Sequence, residues 1–96
     1  MKGYWIIFGS EVVDSEAQQE YGRLWLPISE EYGAKVKVLE AGALMEAHDT
    51  RRVVAVEFPT YERAKACYDD PAYAEARQFA LRASRREMII IEGELA

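Results

Sequence analysis

Apolar residues crowd the start of the chain, where Tyr4, Trp5, Ile6, Ile7 and Phe8 follow one another without a polar break. A run of β-formers with no alternation predicts a strand buried on both faces, which we place from Gly3 to Val12. Asp14 and Ser15 then offer N-cap oxygens, and Ser15 with Gln18 fits a capping box. From there the pattern changes period. Ala17, Tyr21, Leu24, Trp25, Ile28 and Tyr32 recur at spacings of three and four, one apolar stripe on a helix reaching Tyr32. Pro27 lies inside that helix and removes a ladder bond, which predicts a kink between Arg23 and Pro27. Gly33 is a natural left-handed stop.

Alternation follows. Lys35 to Glu40 switches polar and apolar residue by residue, the mark of a half-exposed strand, and Ala41-Gly42 breaks it. Ala43 to His48 reads as a short strand or hairpin arm, with a turn at Asp49-Thr50. Arg51 to Phe58 is a strong strand stopped by Pro59. Thr60 caps the next helix, whose buried side carries Ala64, Cys67 and Tyr68. Asp70 and Pro71 restart the helix as N-cap and first helical residue, and Tyr73, Ala76, Ala80 and Ala83 form its stripe. Arg86 to Glu92 holds Met88-Ile89-Ile90-Ile91, a last buried strand that ends at Gly93.

The order is strand, helix, strand, strand, broken helix, strand, within one domain spanning residues 1–96. Two strand–helix–strand units fused in this way predict an α+β, ferredoxin-like βαββαβ protomer with a four-stranded antiparallel sheet. Right-handed crossovers put the helices on one side of that sheet. Three of the four strands are nevertheless apolar on both faces: Trp5 and Ile7 oppose Tyr4, Ile6 and Phe8, Val53 and Ala55 oppose Val54 and Val56, and Ile89 and Ile91 oppose Met88 and Ile90. One set must point away from the helices, and so large an apolar patch calls for a cover. The economical cover is a second copy, in a homodimer closed through the helix-free sheet face; the other is the 41–50 segment lying over a sheet edge.

Several pieces resemble a known family. Lys2-Gly3-Tyr4-Trp5, Tyr32-Gly33, Val56-Glu57-Phe58-Pro59, Ala64 to Tyr68, Asp70-Pro71-Ala72-Tyr73 and Ile91-Glu92-Gly93, in this order and spacing, look like the domain of unknown function 1330 family of the dimeric α+β barrel superfamily. The resemblance implies a ferredoxin-like protomer in a homodimeric barrel. It brings no reaction of its own. Related superfamily members include cofactor-free monooxygenases of polycyclic phenols, lactone isomerases and haem-handling enzymes. It also implies a glutamate at Glu57, without a role. Where the family carries a glycine pair after the first helix this chain has Gly33-Ala34, and Arg82 is the nearest counterpart of an arginine in its last helix.

Composition narrows the function. Half of the 96 residues are hydrophobic, which excludes a disordered chain. Seventeen acidic against twelve basic residues leave a net charge of −5, contrary to a nucleic-acid binder. No run approaches a membrane span, no secretory core is present, and the lone Cys67 suits a reducing compartment, so a cytoplasmic protein is expected. No phosphate loop, serine elbow or metal-ligand spacing is present, and no cofactor is expected.

Six residues are left as candidates. Glu57, in phase with Val53 and Ala55, is a general base if burial raises its pKa, or a strand-end carboxylate paired with arginine. His48 is the only imidazole, an acid–base group or a surface-loop histidine beside Asp49. Tyr21, Trp25 and Tyr73 line either a pocket for a planar ligand or plain core. Arg82, within a cluster with Arg77, Arg85 and Arg86, attracts an anionic ligand or complements the helix dipole. The chain thus reads as a cofactor-independent oxygenase or isomerase of a small planar metabolite, or alternatively as a non-catalytic dimeric binding module.

Overall fold

In a computed structural model of the protein, residues 1–39 and 43–95 are described. The unbroken apolar run becomes β1 (Lys2–Gly9). It stops short of the expected Val12 because Ser10 leaves the ladder: its N–H donates to Arg85 O at 2.8 Å and its hydroxyl accepts from Arg85 N at 2.9 Å. Helix α1 (Ser15–Tyr32) starts on Asp14, whose side chain accepts from Ala17 N at 3.0 Å. Ser15 is already helical, so the Ser15–Gln18 capping box does not form. The helix runs without interruption through Pro27 and ends on Gly33 in the left-handed region, φ 65°.

Strand β2 (Lys35–Leu39) follows. The expected break at Ala41-Gly42 lies outside the described residues, and Ala43 to His48 forms no strand. Strand β3 (Arg52–Phe58) leads to α2 (Tyr61–Asp69), capped by Thr60 through a 3.1 Å bond from Arg63 N. Asp70 ends α2 and caps α3 (Pro71–Ala83), accepting from Ala72 N at 2.8 Å. Strand β4 (Arg86–Gly93) closes the fold.

The strands form one antiparallel sheet in the order β2-β3-β1-β4. This is the ferredoxin-like arrangement. The Cα register places Trp5 beside Val56 and Ile90, and Ile7 beside Val54 and Met88. Those residues face the helices and form the core with Phe58, Ala64, Cys67, Tyr73 and Ala76. Trp5 is fully buried among aromatic rings, and its indole N–H is satisfied by Ala64 O at 2.9 Å.

The alternate set falls on the other face: Tyr4, Ile6 and Phe8 beside Val53, Ala55, Ile89 and Ile91. No helix covers it. Phe8 is 38% exposed and Ile89 51%. Tyr4 alone is well covered, at the end where Leu95 N donates to its hydroxyl at 3.1 Å.

Candidate functional site

Period-two counting along β3 and β4 carries a charge onto the helix-facing side of each strand. Arg52 is in phase with Val54 and Val56, and Arg86 with Met88 and Ile90. Both pair with Gly9 of β1, one from each side. Gly9 leaves them room, since a Cβ there would stand 3.2 Å from the Arg52 guanidinium. The α1 stripe brings Tyr21 and Trp25 over the same side of the sheet, nearly parallel at 8° with centroids 6.5 Å apart. A cleft of about 240 Å³ separates the two layers. Ile7, Val36, Val54 and Val56 line it from the sheet, Gln18, Tyr21 and Trp25 from the helix, and Arg52 and Arg86 supply its charge.

A hydrogen-bonded chain runs from this cleft into the core. Arg86 Nη2 donates to the Tyr73 hydroxyl at 3.0 Å, which lies 3.1 Å from the Tyr21 hydroxyl. Arg86 also stacks over the Tyr21 ring at 5.5 Å. Burial opposes the charge of Arg86, but the two phenol oxygens outweigh burial and raise its pKa. Burial, with Tyr21 next to it, pushes the Tyr73 phenol far above its ordinary range. Tyr73 therefore stays protonated. Being fully buried, its O–H needs an acceptor, and the Tyr21 oxygen is the one within reach. The Tyr21 proton is thereby freed to point elsewhere. The Arg52 guanidinium is held by two bonds: its Nε donates to Ser10 O at 3.5 Å and its Nη2 to the Ser84 hydroxyl at 3.3 Å. Among the described residues neither arginine has a carboxylate within ion-pair distance.

The six residues singled out in the sequence part company. Tyr21 and Trp25 line the cleft, and Tyr73 stands behind it. Arg82 does not join them; it is exposed on α3, over the Phe79 ring at 5.0 Å. His48 is exposed in the loop before β3, its carbonyl accepting from Arg51. Glu57 is buried at 8% exposure, but on the opposite face of the sheet. Burial there raises its pKa less than Lys2 and Lys37, both 3.5 Å away, lower it. Its pKa is below the ordinary carboxylate range, the reverse of what a general base needs, and its partners are lysines rather than arginine. The arginines that reach the cleft are Arg52 and Arg86, which strand phase alone picks out.

A larger hollow of about 490 Å³ lies beyond the β4 start, walled by Phe8, Asp49, Leu81, Arg85 and Glu87 among others. Its Arg85 is already paired with Asp49 at 2.7 Å, and in place of the paired Tyr21 and Trp25 rings it has the single ring of Phe8 among the described residues. Among the described residues no three His, Cys, Asp or Glu side chains converge as metal ligands. No helix among them is long and apolar enough to cross a membrane.

The βαββαβ order, the antiparallel β2-β3-β1-β4 sheet and helices on one face define a ferredoxin-like α+β protein. Within that class the chain belongs to the family described as Domain of unknown function (DUF1330), whose model matches residues 2–94. No curated protein matches the chain. Among solved structures, a protein of unknown function from Rhodopseudomonas palustris is similar over 99% of this chain and 84% of its own, with 18% identity and a TM-score of 0.70. A dimeric ferredoxin-like protein of unknown function from Jannaschia sp. CCS1 shares 9% identity over 97% of this chain and all of its own, at a TM-score of 0.72. SnoaB, a cofactor-independent oxygenase from Streptomyces nogalater, shares 10% identity over 99% of this chain and 94% of its own, at 0.67. At these identities the likeness is one of fold.

Proposed function

We propose that the chain works as a homodimer, closed through the helix-free sheet faces, and that each protomer binds a small planar metabolite in the cleft between α1 and the sheet. The observation that carries the ligand reading is the cleft itself, with the parallel Tyr21 and Trp25 rings facing an aliphatic floor of Ile7, Val54 and Val56. Apolar walls with a few convergent polar groups are what small-molecule sites present. The dimer rests on the half-exposed band of Ile6, Phe8, Val53, Ala55, Ile89 and Ile91. The dimeric neighbour from Jannaschia is in keeping with this assembly. The buried, unbridged Cys67 suits work in the cytoplasm.

Acting on that metabolite without a resident cofactor, by oxygenation or isomerisation, is the reading that SnoaB and its fold encourage. One observation favours plain binding instead: among the described residues no imidazole or carboxylate lines the cleft, with His48 and Glu57 both elsewhere. A thermal-shift screen of phenolic and carboxylate metabolites tests the ligand reading, since selective binding raises stability by mass action. Hits lost in Trp25→Ala, followed by oxygen uptake or an absorbance change on incubation, support the enzyme. Hits that return unchanged support the binding module, and stabilisation insensitive to Trp25→Ala refutes the cleft.

A further inference from the structure

The polar groups around the cleft are unbalanced. Arg52 and Arg86 bring guanidinium donors and the Tyr73 bond leaves Tyr21 with a proton to give, while no carboxylate is among the described residues that line the cleft. Nothing acidic among the described residues neutralises the arginines. Two half-buried guanidiniums without a carboxylate leave the counter-charge to be supplied from outside the chain. The geometry points to an anion as that partner: the cleft is built for an aromatic or otherwise planar carboxylate, its ring against Trp25 and its carboxylate on Arg86, Arg52 and the Tyr21 hydroxyl. This rests on the cleft being the ligand site and adds what the ligand must carry.

Each part of the assignment has its own support. Carboxylates are matched by the guanidinium of an arginine, and Arg52 and Arg86, the register neighbours of Gly9 on either side, both line the cleft. The Arg86–Tyr73–Tyr21 chain orders its donors before any ligand arrives, because the buried Tyr73 proton is committed to Tyr21. A volume of about 240 Å³ is below the ~300–1,000 Å³ of drug-sized sites, which restricts the ligand to one or two fused rings. An acidic protein with a basic cleft also directs anions inward, since the rest of its surface repels them.

The test titrates the wild-type protein with 2-naphthoate and, separately, with uncharged 2-naphthamide, following tryptophan fluorescence and melting temperature at neutral pH. Naphthoate is expected to bind about tenfold or more tightly than the amide, the difference a charge-assisted pair makes. Arg86→Gln should bring the two probes to parity by weakening the acid alone. Should that variant fail to fold, Arg52→Gln and the wild-type ratio carry the test, and Arg52→Gln should lower the preference. Equal wild-type affinities, or a preference unchanged in the folded arginine variants, overturn the anion assignment while the cleft stands. Binding of neither probe overturns both.

Discussion

Replacing Tyr73 with Phe removes one oxygen from the middle of the polar chain and nothing else. The ring keeps its place against Trp5, with centroids 4.9 Å apart, and against Tyr68 at 5.6 Å, so packing is conserved. What goes is the acceptor of Arg86 Nη2 at 3.0 Å and the hydroxyl 3.1 Å from Tyr21. A hydrogen bond to a charged group contributes roughly 1.5–3 kcal/mol and a neutral one about 1 kcal/mol. Arg86 and Tyr21 are only half-buried and recover part of this from water. The net expectation is a loss of about 1.5–3 kcal/mol, equivalent to a fall of roughly 6–24 °C in Tm for a domain of this size. Urea unfolding measures it, at one fixed chain concentration because an assembling protein melts at a concentration-dependent temperature. Tyr21→Phe strips the buried Tyr73 O–H of its acceptor, so the double variant should cost clearly less than the sum of the singles. A loss below about 0.5 kcal/mol in Tyr73→Phe, or strict additivity of the pair, refutes the chain.

Other consequences follow from single contacts. A Cβ on Gly3 would stand 2.6 Å from Tyr61 Cα and 2.8 Å from Thr60 O, both backbone, so Gly3→Ala must lift α2 off β1. It should cost about 1–3 kcal/mol by overpacking, and an unchanged thermal melt contradicts that close approach. The Asp70 carboxyl is held below its ordinary pKa by the Tyr32 hydroxyl at 2.6 Å and by Ala72 N–H. Its stabilisation is therefore complete above the unfolded carboxylate value of about 4 and drains away as pH falls through the lower folded value. Wild type should lose more Tm between pH 6 and about pH 2.5 than Asp70→Asn, whereas parallel curves refute the linkage. Burial, with the charge of Asp70, pushes the Cys67 thiol up to about 12. A disulfide reagent at about pH 8 should react only as the chain unfolds; labelling of the folded protein at a free-thiol rate contradicts it.

Element type and order were legible in the sequence because each rests on local periodicity. The stripe from Ala17 to Tyr32 and the unbroken run of Tyr4 to Phe8 allowed little else. Ends were harder. Val12 and Val13 extend the apolar run, but β1 stops where Ser10 turns to Arg85, a partner 75 residues away that no local pattern reveals. Glu57 shows the same limit. Its phase with Val53 and Ala55 was readable, but which face that set takes depends on the helices, and its two lysines arrive from β1 and β2. Arg86 is the instructive case. Counting in twos from Ile90 puts it on the helix side, yet its place just after α3 invites a dipole reading that treats it like exposed Arg82. Tyr21 and Trp25 were visible on the α1 stripe and Tyr73 on that of α3; that the first two wall a cleft, with Tyr73 behind it, depends on how far α1 stands from β2 and β3.

The covered sheet face is the claim on which the assembly depends, and sedimentation equilibrium over a dilution series tests it most directly. The wild-type chain should hold twice its own mass down to low micromolar concentration, while Ile89→Asp, a charge set into the centre of the open face, should sediment at the single-chain mass with its circular dichroism unchanged. A wild-type chain that is folded and single at high concentration, with Phe8 and Ile89 open to water, would contradict it.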